Sequence, residues 1–116
     1  MTNTFPKTAR LRRQYEFDAV YRGKHYAADG VLVIRAIRND QGRTRLGLSV
    51  SKKVGNAVVR NKWKRIIRES FRTQQSDMPR GLDIVVRPKK GAVTDYHAVY
   101  TSLLKLCKRL DRKLSG

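Results

Sequence analysis

Acidic side chains are scarce in this sequence. Nine Asp and Glu stand against 27 Lys and Arg, leaving a formal charge of +18 on 116 residues. Self-repulsion at that charge destabilises a compact chain, so a bulky polyanion is the natural partner. Cysteine is nearly absent. The one residue, Cys107, excludes an internal disulfide and leaves no cysteine cluster for a metal. Set among Leu103, Leu104 and Leu110, it reads as a small buried apolar side chain. Histidine is limited to His25 and His97, far apart in the chain. A metal-free ribonuclease could use two histidines as acid and base, but nothing in the sequence brings these two together, and His97 reads as a structural or surface residue of the last helix. No run approaches the roughly 18 apolar residues of a membrane span. Met1–Arg13 has no apolar run, so it does not read as a signal peptide. These absences point to a soluble, cytoplasmic chain of one domain, residues 1–116, with no repeats or low-complexity segments.

What is present falls into an ordered series. Met1–Arg13 is polar and basic and reads as an extended arm. A short helix follows over Gln14–Arg22, with Phe17, Val20 and Tyr21 at i, i+3 and i+4 and Gly23 as a stop. Val31–Arg38 is a strand rich in branched apolar residues, and Asn39-Asp40-Gln41-Gly42 is turn chemistry. Thr44–Ser51 alternates, with Leu46, Leu48 and Val50 on one face and Arg45, Gly47, Ser49 and Ser51 on the other. These two strands are predicted to pair as an antiparallel hairpin. Asn56 is a good N-cap for a helix reaching about Arg72, whose buried stripe is Val59, Trp63, Ile66, Ile67 and Phe71. Asp83–Arg87 is a short strand. Thr94 caps a last helix over about Asp95–Arg112, with Val99, Leu103, Leu106, Cys107 and Leu110 inward. The order α-β-β-α-β-α describes an α+β sandwich with a single sheet.

Lys52–Arg72 carries the functional signal. It holds Lys52, Lys53, Arg60, Lys62, Lys64, Arg65, Arg68 and Arg72 against the single acid Glu69. Residues three and four apart share a helix face. Arg60, Lys64, Arg68 and Arg72 thus form a ridge away from the apolar stripe, with Asn61 and Arg65 beside it. An ordinary solvated face mixes signs, with Glu placed to pair with Lys. Arginine forks pair bidentately with phosphate oxygens, and Asn61 has the donors and acceptor to bond a base edge or a 2′-hydroxyl. Lys52, Lys53 and the Gly55-Asn56 turn precede the helix N-terminus, where backbone N–H groups favour a phosphate.

The stretch Arg60-Asn61-Lys62-Trp63-Lys64-Arg65-Ile66-Ile67-Arg68-Glu69 resembles the RNR signature of the bacterial ribonuclease P protein family. Arg45–Lys53 resembles the strand before that signature, and Asp83–Val86 with Lys89-Lys90-Gly91 the strand and loop after it. Leu11, Phe17, Tyr21 and Gly23 match the N-terminal pattern, so the likeness runs from about Phe5 to Leu110. The resemblance implies a fold like ribosomal protein S5 domain 2, with a left-handed βαβ crossover. It also implies a protein that joins one large catalytic RNA and helps cut the 5′ leader from precursor tRNA. In such an enzyme the RNA holds the active site and its magnesium ions, and the protein supplies no catalytic or metal-ligating residue. Contact with that RNA then falls to Lys52, Lys53, Arg60, Asn61, Lys64, Arg65, Arg68 and Arg72. Leader contact falls to Phe17 and Tyr21, with Arg10 nearby, in a cleft between the first helix and the sheet. The implied partners are the catalytic RNA and precursor tRNA, one protein per RNA and a monomer when free. The family often places an aromatic residue on its first strand, whereas Val31–Ile34 are aliphatic. A ribosomal or general RNA chaperone shares the charge pattern but not the RNR stretch with its flanking strands. A membrane-surface protein would need for lipid the apolar stripe that the sheet also needs.

Overall fold

The computed structural model describes residues 9–115. Three helices and four strands follow in the order α1 (Gln14–Arg22), β1 (Tyr26–Ala28), β2 (Leu32–Arg38), β3 (Arg45–Leu48), α2 (Ala57–Thr73), β4 (Leu82–Pro88) and α3 (Tyr96–Ser115). The strands form one mixed sheet in the order β1-β2-β4-β3, antiparallel except for the parallel pair β3–β4. The α+β sandwich read from the sequence is thus present, with one strand more than the six-element order supplies.

The predicted hairpin does not form. β4 lies between β2 and β3, pairing Ile34 with Val86 on one side and Leu48 with Val86 on the other. The physical reason lies in β4 itself. Leu82 through Val86 are all buried, and a strand buried on both faces belongs in the middle of a sheet. β3 is left as an edge, joined to β4 through α2 as a βαβ unit.

Strand alternation sorts the sheet into two faces. Leu32, Ile34, Ala36, Leu46, Ile84 and Val86 meet α2 and α3. Trp63, Ile67 and Phe71 of α2 and Val99, Leu103, Leu106 and Leu110 of α3 complete this core. Cys107 is fully buried there, and burial pushes its thiol pKa up, so it is an inert packing group. The opposite face carries α1, whose Val20 and Phe17 pack with Leu11, Val85 and Ile37.

Local chemistry sets the ends of these elements. The Asn56 side chain accepts from the Val59 N–H at 3.0 Å, capping α2 as predicted. α3 is capped by Asp95 rather than Thr94: its carboxylate accepts from the Ala98 N–H at 3.3 Å. Gly42 takes φ +73° in the turn after β2, where the Gln41 N–H donates to Asn39 Oδ1. The arm reading needs correction over residues 9–13; residues 1–8 lie outside the described part. Ala9 and Leu11 are buried, and the Leu11 N–H donates to the Leu46 carbonyl at 3.0 Å. This segment therefore runs parallel to β3 and covers part of that edge.

Candidate nucleic-acid interface

α2 sits on the sheet by Trp63, Ile67 and Phe71, and this fixes where its cations go. Lys52, Lys53, Asn61, Arg65 and Arg68 are exposed; Arg60, Lys64 and Arg72 are half-buried. The ridge is not uniform. The Arg72 guanidinium binds Glu69 and holds that carboxyl below the usual carboxylate range, so the last basic position of the ridge is partly neutralised. Lys64 and Arg68 instead turn toward α1.

There they meet residues read separately from the sequence. At the β3 edge a cleft of about 220 Å³ opens between the N-terminal segment, α1 and α2. Leu11, Phe17, Leu46 and Leu48 give it apolar walls, and Arg10, Arg12, Lys64 and Arg68 line it with cations. Phe17 is half-buried over Gly47, and a Cβ at Gly47 would lie 2.8 Å from the Phe17 ring. Glycine here lets the ring come close against the strand. The leader residues Arg10 and Phe17 thus share one cleft with the RNR residues Lys64 and Arg68. Tyr21 lies outside it, one turn further along α1, and is 43% exposed.

A partly buried ion network sets the position of α1. Arg45 donates to Asp83 at 2.7 and 2.8 Å and to Glu16 at 2.8 Å. The other oxygen of Glu16 accepts from the backbone N–H groups of Arg12 and Arg13 at 2.8 and 2.9 Å. Those two N–H bonds, with Arg45 beside them, hold the Glu16 carboxyl below its ordinary range. Asp83, Glu16 and Arg45 therefore tie β4, α1 and β3 together and fix the cleft wall.

The sequence reading missed Arg12, Arg35 and Tyr26. Arg12 looked like one more cation of a loose arm. Tyr26 stood in what read as a loop, yet it opens β1, so the sheet's first strand does carry an aromatic residue. Among the described residues, no group of three or more His, Cys, Asp or Glu is gathered to hold a metal ion.

Fold and surface together define a class: a small basic α+β protein with a mixed sheet, a βαβ unit, and a cation-lined helix and cleft suited to a polyanion. Residues 5–111 match the family model for Ribonuclease P. The ribonuclease P protein component of Desulfovibrio desulfuricans is 43% identical over 116 residues, covering 96% of this chain and 89% of that protein. The ribonuclease P protein of Thermotoga maritima superposes with a TM-score of 0.79 at 35% identity, covering 86% of this chain and 96% of its own. That of Staphylococcus aureus gives 0.78 at 35% identity, covering 89% and 95%. The chain belongs to the bacterial ribonuclease P protein family. Its role is in tRNA processing, as a subunit of a ribonucleoprotein endoribonuclease whose RNA is its partner. No described helix is long and apolar enough to cross a membrane.

Proposed function

We propose that the whole chain acts as one RNA-binding unit with two joined surfaces. The outer face of α2 and the turn before it, with Lys52, Lys53, Arg60, Asn61, Arg65 and Arg72, hold the catalytic RNA. The cleft, extended along α1 to Tyr21, takes the single-stranded 5′ leader of precursor tRNA. The observation that carries this reading is the shared cleft, with Arg10 and Phe17 on one side and Lys64 and Arg68 on the other. Apolar and aromatic walls beside cations suit an unpaired nucleotide, whose base has a π-face and whose phosphate is anionic. The protein positions the leader, and the RNA carries the active site and the magnesium ions that cleavage requires. In this reading the chain's own part is binding and orientation, through the cations and aromatic rings of the two surfaces. One protein serves one RNA, the free protein is a monomer, and the complex works in the cytoplasm.

The test compares precursor with mature tRNA, since only the precursor has a leader. In the complex reconstituted with its ribonuclease P RNA, Phe17→Ala and Tyr21→Ala weaken precursor binding while mature tRNA binding is kept. Stacking on one aromatic is worth roughly 1–3 kcal/mol, or about 5- to 150-fold. Equal losses for both RNAs would remove the leader cleft from this reading. Recovery of ribosomal RNA, rather than one RNA of a few hundred nucleotides, with the purified protein would point instead to a general RNA chaperone.

A further inference from the structure

Arg35 lies on β2, in the face of the sheet that α1 only partly covers. In register it faces Tyr26 on β1 and Val85 on β4. Tyr21 reaches it from the last turn of α1. The guanidinium carbon stands 5.9 Å from the Tyr21 ring centroid and 5.8 Å from that of Tyr26. Both rings are open to solvent, Tyr21 at 43% and Tyr26 at 54%. Among the described residues Arg35 takes part in no ion pair, whereas Arg45, two strands away on the same face, is neutralised by Glu16 and Asp83. Two cation–π contacts hold the Arg35 guanidinium beside both rings. They leave its N–H groups without a carboxylate.

The surroundings of this fork match a base edge better than a phosphate. A phosphate site gathers several cations, as the α2 ridge does. Here the direct cross-strand neighbours of Arg35 are a tyrosine and a buried valine, and the cation Arg87 stands only diagonally, opposite Val33. A planar arginine fork matches the O6 and N7 acceptors of guanine. Unpaired bases in RNA are held by stacking on aromatic rings and by hydrogen bonds to such edges. Resting on the leader reading above, we infer that Tyr21, Arg35 and Tyr26 form a subsite for one unpaired guanine nucleotide of the leader. Arg35 is its specificity-determining residue. The base stacks on an exposed tyrosine, and the guanidinium donates to O6 and N7. Arg87 is exposed and stands opposite Val33, one diagonal step from Arg35, where it is placed for the nucleotide's phosphate. Tyr21 follows Phe17 by four residues, about 6 Å along the helix, so a strand lying on α1 passes from the cleft to this subsite.

The test uses the complex reconstituted with its ribonuclease P RNA. The substrates are precursor tRNAs whose leaders are all uridine except for one guanosine, moved position by position. The wild type is expected to favour one guanosine position over the all-uridine leader by roughly 5-fold or more, the lower end for a bidentate arginine–guanine pair. Arg35→Lys keeps the charge but loses the fork, and Arg35→Gln loses both. In each, that ratio falls to near one, with thermal midpoints confirming the fold. A preference that survives in Arg35→Gln overturns the inference. So does an Arg35→Gln variant that weakens every leader alike, because Arg35 would then be reading phosphate. If Phe17→Ala abolishes the preference for precursor over mature tRNA while no leader responds to Arg35, only the guanine subsite falls. If the wild type binds precursor and mature tRNA equally, the leader reading falls with it.

Discussion

Trp63 and Arg65 are two residues apart on α2, about 200° around the helix, and face opposite surroundings. Trp63 is 2% exposed in the main core, while Arg65 is exposed. Trp63→Ala is expected to cost about 3–5 kcal/mol in urea unfolding, through lost burial and the cavity left behind. Arg65→Ala and Arg68→Ala should change stability by no more than about 0.5 kcal/mol. They should instead weaken RNA binding, each flattening the salt dependence by about one unit or slightly less for every phosphate left unneutralised. A quadruple Ala variant at Arg60, Lys64, Arg65 and Arg68 with unchanged affinity would mean that this face does not meet RNA. Gly47 shows how one missing atom serves the cleft. A methyl group there would stand 2.8 and 2.9 Å from two Phe17 ring atoms and 3.1 Å from Leu11 Cβ. Gly47→Ala should thus push the ring off the strand at about 1–3 kcal/mol of overpacking. The ratio of precursor to mature tRNA affinity should fall with it, and an unaltered ratio would show that the Phe17 seat is irrelevant to the leader.

At the scale of elements, Asp29 joins the β1–β2 turn to α3. One carboxylate oxygen accepts from the Val31 and Leu32 N–H groups at 2.8 and 2.9 Å. The other accepts from Ser102 Oγ at 2.7 Å and lies 3.2 Å from Lys105 Nζ. Burial alone would raise the pKa of this group. The hydrogen bonds outweigh it and bring the pKa from 3.8 down to about 2. A depressed folded-state pKa stabilises the fold above the unfolded value, and that contribution disappears as pH falls from about 4 through 2. Asp29→Asn should therefore be less stable than wild type at pH 6, by on the order of 2 kcal/mol. The gap should narrow steadily in urea titrations below pH 4, and a constant gap would mean that Asp29 does not carry it. Elements set by neighbours in the chain were legible in the sequence: α1 has the bounds its periodicity gives, and Asn56 caps α2. Elements set by distant partners were not. β1 is three residues long, too short to display alternation, and the place of β4 depends on pairings far along the chain. In the site, the RNR face could be read because α2 is long enough to separate two faces. Arg35 and Tyr26 could not, because only the sheet register brings them together.

For the whole molecule, +18 on 116 residues opposes compaction. Like charges at i, i+4 along α2 oppose helix formation by a few tenths of a kcal/mol per pair, and Lys52 and Lys53 add charge at its positive end. Domains hold only about 5–15 kcal/mol in total, so these effects matter. The isolated protein should be only marginally folded in dilute buffer and should gain helix as anions bind the folded state. Circular dichroism with sodium sulfate and sodium chloride at matched ionic strength is expected to show sulfate as the stronger stabiliser. Full, salt-independent helix content would contradict this account. The strand order β1-β2-β4-β3 adds a consequence in time. As the chain leaves the ribosome, β1 and β2 can pair at once, but β3 emerges with only the Arg10–Leu11 segment to pair with and no strand of the sheet beside it. Its partner comes only after the whole of α2, and loop-closure entropy delays pairings that span so much sequence. Until Leu82–Pro88 arrives, the sheet has no centre for Trp63 and Ile67 to cover. Core and basic surface therefore appear together, in one late folding event.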